Sequence, residues 1–196
     1  ETSSESPAPG GGSVSAAMGA MGAALGVMVA NLSSHKRGWD ARWEEFAAWA
    51  ERGVQIQKRL LELVDEDTNA YNDILKALEM PKGSDEEKVA RAAAVEAATL
   101  YASLVPLTVM KEAFRAFDLL KEMTDKGNPN SVTDGAVGVL AVRACIRGAF
   151  LNVRINVNGL KDRVKAGELI AEGKEIEGQT AEKEHEIIKT KKRKNI

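Results

Sequence analysis

The segment FAAWAERGVQIQKRLLELVDEDTNAYNDILKAL, residues 46–78, determines the class of fold. Residues of one stripe recur in it at intervals of three and four, which is the repeat of one face of an α-helix. A helix buries such a stripe against neighbouring helices, so the segment predicts a helical bundle. The stripe comprises Phe46, Trp49, Gly53, Ile56, Leu60, Val64, Asp67, Tyr71, Ile74 and Leu78.

One residue of this stripe, Asp67, is charged where an apolar residue is expected. Burying an unpaired carboxylate costs several kcal/mol, so Asp67 should be paired, protonated or placed beside a solvent-filled pocket. Pairing with an Arg or Lys of another helix is the structural interpretation, and a functional carboxylate facing a cavity is the alternative. The neighbours Asp65 and Glu66 fall off the stripe and are predicted to be solvated.

The rest of the chain also favours helices, because Ala, Glu, Lys and Leu dominate, aromatic residues make up 5%, and strand-like alternation is missing. We predict an all-α bundle of five helices near residues 13–32, 40–79, 85–126, 131–158 and 162–191, with Ser13 and Ser84 as N-caps. Two helices of ~40 residues, about 60 Å long, indicate an up-down bundle that dimerises. The whole of residues 1–196 is predicted to be one domain, with a loop at 1–12 and a basic tail at 190–196.

The bulk composition excludes several classes of function. The net charge is −2, and the basic run at residues 189–195 is typical of a solvated tail, so we expect no nucleic-acid partner. The single cysteine, Cys145, lies among apolar residues and should be a buried thiol in a reducing, cytoplasmic compartment. Two histidines and one cysteine make a zinc site improbable, and we expect no metal.

The segment SPAPGGGSVSAAMGAMGAALG, residues 6–26, is compatible with a disordered tail, a membrane anchor or a binding loop that leads into a buried helix. Residues 14–32 are rich in Ala and Gly and include Ser15 and Asn31, which is a weak pattern for a membrane span. We therefore predict a glycine loop followed by a helix inside the bundle, and no membrane partner.

The fourth predicted helix carries further polar residues. Asn152 and Asn156 are one turn apart on one face of this helix. Their amides would either form hydrogen bonds with neighbouring helices or bind a heterocycle. Asp134 opens the same helix, three residues after Ser131, which is also the spacing of a capping box. Lys36 and Arg37 follow the first helix. They would either stabilise its C-terminal end, where the helix dipole is negative, or bind an anion.

Five segments, SPAPGGGS, LVDEDTNAYNDILKALEMPK, VPL at 105–107, GNPNSVTD and GAFLNVRIN, occur in an order that resembles the cyclodeaminase family of folate enzymes. The resemblance covers about residues 6–160. It implies an all-helical homodimer with folate sites at the subunit interface, higher oligomers in bifunctional members, and a formimidoyltransferase domain or partner. It also implies a folate substrate, which can be polyglutamylated, and no further cofactor.

The reaction implied by the resemblance converts 5-formimidoyltetrahydrofolate to 5,10-methenyltetrahydrofolate and ammonia, in histidine degradation and one-carbon metabolism. One alternative is a methenyltetrahydrofolate cyclohydrolase of the same family, in which water is the attacking group. Another is a helical dimerisation module without catalytic activity. Ring closure needs a base for the N10 proton and an acid for the leaving nitrogen.

The resemblance also implies the site residues. Asp67 and Asp134 are the catalytic candidates, and the stripe position of Asp67 predicts a perturbed pKa. Tyr71 and Thr133 depart mildly from the family pattern, where Phe and Ser are usual. The implied substrate-binding residues are those of the glycine loop, the two cations suited to an anionic tail, and three amides: Gly10, Gly11, Gly12, Ser13, Lys36, Arg37, Asn128, Asn152 and Asn156.

Overall fold

A computed structural model describes residues 2–192 of the chain, and residues 193–196 of the predicted basic tail lie outside them. Within the described residues the architecture is all-α, as predicted, with five α-helices and no strand. The helices are α1 Gly11–Ser34, α2 Trp43–Glu79, α3 Asp85–Lys126, α4 Val132–Asn156 and α5 Arg163–Lys192. Single 3-10 turns at Asp40–Arg42, Pro129–Ser131 and Val157–Gly159 flank α2 and α4.

Helix α1 lies in the middle of the bundle, in contact with α2, α3 and α4. Small residues make this position possible. A Cβ at Gly22 would lie 2.8 Å from the carbonyl oxygen of Gly138, and one at Gly26 would lie 2.7 Å from Leu119. The Ala- and Gly-rich composition of this segment therefore reflects close packing between helices.

The predicted N-cap of α1 is wrong. Gly10 occupies the N-cap position without a side-chain hydrogen bond, and Ser13 is the third residue of the helix. The Ser13 hydroxyl is instead bonded to Asp67 of α2. Extended glycine backbone before the helix allows it to start earlier than predicted.

The two serine caps predicted elsewhere have different outcomes. Ser84 forms a capping box with Glu87, as the N–H of each residue donates to the side chain of the other, over 3.0 and 3.2 Å. Ser131 precedes α4 with φ −116° and ψ 14° and makes no side-chain cap bond, so the box predicted with Asp134 is not formed. A 3-10 turn already leads into α4 there, and a capping hydroxyl needs extended backbone.

The stripe on α2 is buried in its first half, where Phe46, Ile56 and Leu60 are core residues. In the second half the buried positions shift to Leu63, Ala70 and Ala77, whereas Tyr71 and Leu78 are 37% and 46% exposed. Tyr71 lines a cavity instead of packing into the core. The prediction that the stripe faces the core is therefore wrong for Tyr71 and Leu78, whereas Ile74 between them packs against the core.

Three helices carry exposed apolar residues, and two of them, α2 and α4, pack against the third, α1. We call this surface the α1 face; it comprises Val14, Met21 and Met28 of α1, Val54 and Leu61 of α2, and Val137, Leu140, Leu151 and Ile155 of α4. Helix α3 also contacts α1, where Leu119 and Leu120 lie against Gly26. By length and composition alone, α1, α3 and residues 129–159 could each cross a membrane, although 61% of the apolar stretch of α1 is buried inside the bundle. The absence of a membrane partner stays a prediction.

Helix α5 packs across α3 and α4. Ala166, Leu169 and Ile187 are buried against the core. Arg143 of α4 and Glu184 of α5 form an ion pair between the two helices, with an N–O distance of 2.8 Å. No residue of α5 is among the described lining of the candidate site.

Candidate active site

The first turn of α1, the second half of α2, the middle of α3 and the end of α4 surround a cavity of about 220 Å³. It brings together six of the predicted site residues, Gly10, Gly11, Gly12, Asp67, Asn152 and Asn156. The remaining wall is formed by Pro7, Ala8, Tyr71, Ile74 and Ala102. A larger groove of about 540 Å³ lies between α4 and α5, but no carboxylate is among its described lining residues. The smaller cavity is therefore the better candidate for acid–base chemistry.

The Asp67 carboxylate is bonded to the first turn of α1. Its Oδ2 accepts a hydrogen bond of 2.7 Å from Ser13 Oγ, and the Ser13 backbone N–H also donates to the carboxylate. The positive end of a helix favours an anion at this place. Among the described residues no Lys or Arg forms an ion pair with Asp67, so of the two sequence-based alternatives the structure has the carboxylate facing a cavity. The nearby Glu66, predicted to be solvated, is half-buried and pairs with Arg59.

The pKa of Asp67 is raised above its ordinary value. Burial is the largest cause, and the hydrogen bonds from the Ser13 hydroxyl and N–H lower the pKa in part. The position of Asp67 in the stripe predicted a perturbed pKa without a direction, and the structure gives the direction as upward. A carboxyl group with a raised pKa can both accept and return a proton closer to neutral pH than a surface aspartate can.

Gly12 determines how closely the carboxylate approaches α1. A Cβ at this position would lie 2.6 Å from both the carboxyl carbon and Oδ2 of Asp67. A Cβ at Gly11 would meet Asn152 Nδ2 at 3.5 Å, an ordinary contact. The glycine loop therefore has one position, Gly12, at which the site requires the absence of a side chain.

The two asparagines of α4 line the opposite wall. Asn156 Nδ2 donates to the carbonyl oxygen of Ala102 on α3 over 2.7 Å. Asn152 Nδ2 donates to Gly148 within its own helix over 2.9 Å. Neither amide oxygen has a hydrogen-bond donor among the described residues, so both can accept one from a ligand. The predicted roles in helix contacts and in binding are compatible here.

Of the other predicted residues, Lys36 and Arg37 follow the C-terminal end of α1, and Asn128 lies beside that end. This helix has 24 residues, so this second group is roughly 30 to 36 Å from the Asp67 cavity. Asp134 is on α4, 18 residues before Asn152, and is therefore about 27 Å from the cavity along that helix. The Asn128 N–H donates to Ser33 Oγ over 2.8 Å, which docks the loop before α4 onto the end of α1. The Lys36 ammonium lies 4.4 Å from the centre of the Trp39 ring. One chain therefore does not bring the two groups together.

Sequence reasoning missed one polar residue of the site. Thr68 lies beside Asp67 on α2, and its Oγ1 is 3.2 Å from Ser13 Oγ. A threonine one position off a helix stripe resembles an ordinary surface residue, so no pattern indicated it. Only the packing of α1 against α2 shows its contact with Ser13.

The all-α fold of the described residues is the one that the resemblance implies. The family model described as formiminotransferase-cyclodeaminase matches residues 1–175 of the chain. The chain therefore belongs to the formiminotransferase-cyclodeaminase family, which confirms the resemblance.

Individual relatives carry two names. A methenyltetrahydrofolate cyclohydrolase of Methylorubrum extorquens is 38% identical over 179 residues, or 91% of this chain and 85% of that protein. The formimidoyltransferase-cyclodeaminase of Mus musculus is 33% identical over 164 residues, 84% of this chain but 30% of that protein. A solved formiminotetrahydrofolate cyclodeaminase from Thermotoga maritima matches with a TM-score of 0.83 and 26% identity, covering 96% of this chain and 90% of that one. Members of the family are thus folate-metabolising enzymes.

Proposed function

We propose that this chain acts on the one-carbon group carried between N5 and N10 of a tetrahydrofolate, with Asp67 as the acid–base group. One observation carries the proposal: a half-buried carboxylate with a raised pKa and no cationic partner among the described residues lines a cavity. A half-buried carboxylate that has hydrogen bonds but no cationic partner still carries a desolvation cost, and a chemical role explains why it stands beside a cavity. The names of the relatives supply the substrate class.

The first candidate is the cyclodeaminase reaction. N10 attacks the formimidoyl carbon, and Asp67 takes the N10 proton as the new C–N bond forms. The same carboxyl group then returns the proton to the amino nitrogen. The bond between the carbon and this nitrogen breaks, ammonia leaves, and the methenyl bridge between N5 and N10 remains. A single group that serves in both steps must be present in both protonation states, which suits a raised pKa. The bridging carbon is cationic, and an adjacent carboxylate stabilises it.

The second candidate is hydrolysis of the methenyl bridge. Water adds to the cationic carbon and loses a proton to Asp67. Asp67 returns that proton to one ring nitrogen, the bond between this nitrogen and the carbon breaks, and the hydroxyl proton leaves to solvent, so that a formyl group remains on the other nitrogen. The similarity to the Methylorubrum cyclohydrolase supports this candidate, because it extends over 85% of the length of that protein. Both candidates pass through a tetrahedral carbon and use the same carboxylate, so they differ only in the attacking and leaving groups.

A second copy of the chain would complete the site. The Asp67 cavity and the group around Lys36 lie at opposite ends of α1, and the apolar α1 face runs between them. A two-fold axis near the middle of α1, beside the 64% exposed Met21, would place the Lys36 end of one copy against the Asp67 cavity of the other. Lys36 and Arg37 would then meet the anionic glutamate tail of the folate, and Asp134 would supply a second carboxyl group.

One pair of assays tests the proposal. The purified chain is given 5-formimidoyltetrahydrofolate, with ammonia measured, and 5,10-methenyltetrahydrofolate, with loss of its absorbance measured. Ammonia release supports the cyclodeaminase, and enzyme-dependent loss of the methenyl compound alone supports the cyclohydrolase. Turnover of neither substrate would contradict the proposal and favour the third sequence-based alternative, a non-catalytic helical module. A formimidoyltransferase domain or partner stays a prediction.

A further inference from the structure

Two hydroxyl groups stand in line behind the Asp67 carboxylate. Ser13 Oγ donates to Asp67 Oδ2 over 2.7 Å, and Thr68 Oγ1 lies 3.2 Å from the same Ser13 oxygen. We infer that Thr68 and Ser13 are positioning residues, whose hydrogen-bond chain orients the Asp67 carboxyl group and favours its ionised form. The inference rests on the acid–base role proposed above for Asp67.

The direction of the chain follows from the number of protons. An ionised carboxylate only accepts hydrogen bonds, and each hydroxyl has one proton to donate. Ser13 donates its proton to Asp67, so in the hydrogen bond between the two hydroxyls Thr68 is the donor and Ser13 the acceptor. The other acceptor within reach of Thr68 is the Val64 carbonyl oxygen, which is farther away at 3.4 Å. The chain therefore runs from Thr68 through Ser13 to Asp67.

Burial makes this chain effective. Ser13 is 1% exposed and does not line the cavity, so its hydroxyl serves Asp67 and Thr68. Each donor in such a chain polarises the next, and the effect is stronger where water is excluded. Burial raises the pKa of Asp67, and the Ser13 donors oppose that rise. Without them Asp67 would hold its proton more tightly and would be a poorer base. The substrate contact implied for Ser13 by the resemblance stays a prediction.

The test is a titration of the Asp67 carboxyl group, followed by NMR of the chain labelled with ¹³C-aspartate. Asp67→Asn assigns the resonance. Ser13→Ala should move the titration midpoint to higher pH, and Thr68→Val, which keeps the side-chain shape, should move it in the same direction by less. Thr68→Ser is the matched control, since it keeps the hydroxyl and should titrate close to the wild type. If Thr68→Val does not fold, Thr68→Ala takes its place.

A kinetic arm separates this role from a structural one. Below the wild-type midpoint, Thr68→Val should lower kcat/KM by about threefold to tenfold, the effect of one hydrogen bond, and the loss should vanish at high pH. A wild-type titration midpoint in Thr68→Val, or a shift in Thr68→Ser as large as that in Thr68→Val, would overturn the inference. A wild-type chain without turnover would refute the folate reaction instead, and the titration would still decide the positioning role.

Discussion

Replacing Gly12 with alanine should lower activity by about 100-fold, because it displaces the Asp67 carboxyl group. The new Cβ would lie 2.6 Å from the carboxyl carbon, whereas an ordinary contact is about 3.5 Å, so the carboxylate must move by about 1 Å. A displacement of that size at a reacting group costs about 100-fold in rate. The bundle should stay folded, because Ala favours a helix more than Gly does and the displaced atoms belong to a side chain that borders a cavity.

The assay is kcat/KM on whichever of the two folate substrates the wild type turns over, together with a thermal melt. Gly11→Ala is the neighbouring comparison. Its Cβ would first meet an atom at 3.5 Å, so it should lose far less activity. Gly178→Ala on α5, where nothing lies within 4 Å of the added carbon, measures the effect of the same substitution on helix stability. A Gly12→Ala chain that keeps activity within about threefold of the wild type would refute the placement of Asp67.

Three further predictions concern stability, assembly and reactivity. Folding raises the pKa of Asp67. The free energy of unfolding of the wild type should therefore fall as the pH rises from the pKa of Asp67 in the unfolded chain to its pKa in the folded chain, and then level off. Asp67→Asn, which stays neutral, should melt at a higher temperature than the wild type at pH 7 and show a smaller advantage in acid. Met21→Glu, at the centre of the α1 face, should convert a dimer to a monomer in light scattering and lower activity, whereas Val164→Glu, at a 75% exposed position on α5, should do neither. Burial raises the pKa of the Cys145 thiol to about 12, so it should resist a thiol reagent at pH 8 until the chain is unfolded, and rapid labelling of the folded chain would contradict the packing around α1.

The helical class and the number of helices could be predicted because each helix carries its own local signals. The three- and four-residue spacing in α2 and the capping box at Ser84 act within a few turns of chain. The early start of α1 at Gly11 and the missing box at Ser131 were not predictable in this way. At Ser13 the tertiary contact with Asp67 determines the hydrogen bond of the hydroxyl. At Ser131 the 3-10 turn before α4 prevents the capping geometry.

The site could be predicted in part for a similar reason. Asp67 interrupts an apolar stripe, so its unusual position is visible in the sequence alone. Thr68 interrupts nothing, and its contact with Ser13 arises only where α1 packs on α2. The distance between the Asp67 cavity and Lys36 follows from the length of α1, but the order of motifs along the chain says nothing about which of them meet.

The central claim is that Asp67 is the acid–base group of a folate reaction. The most direct measurement compares Asp67→Asn with Asp65→Asn in both folate assays, since Asp65 is an exposed carboxylate on the same helix, away from the cavity. Asp67→Asn should lower kcat by about 100-fold or more while the chain stays folded, and Asp65→Asn should match the wild type. A folded Asp67→Asn chain with turnover within about tenfold of the wild type would contradict the claim.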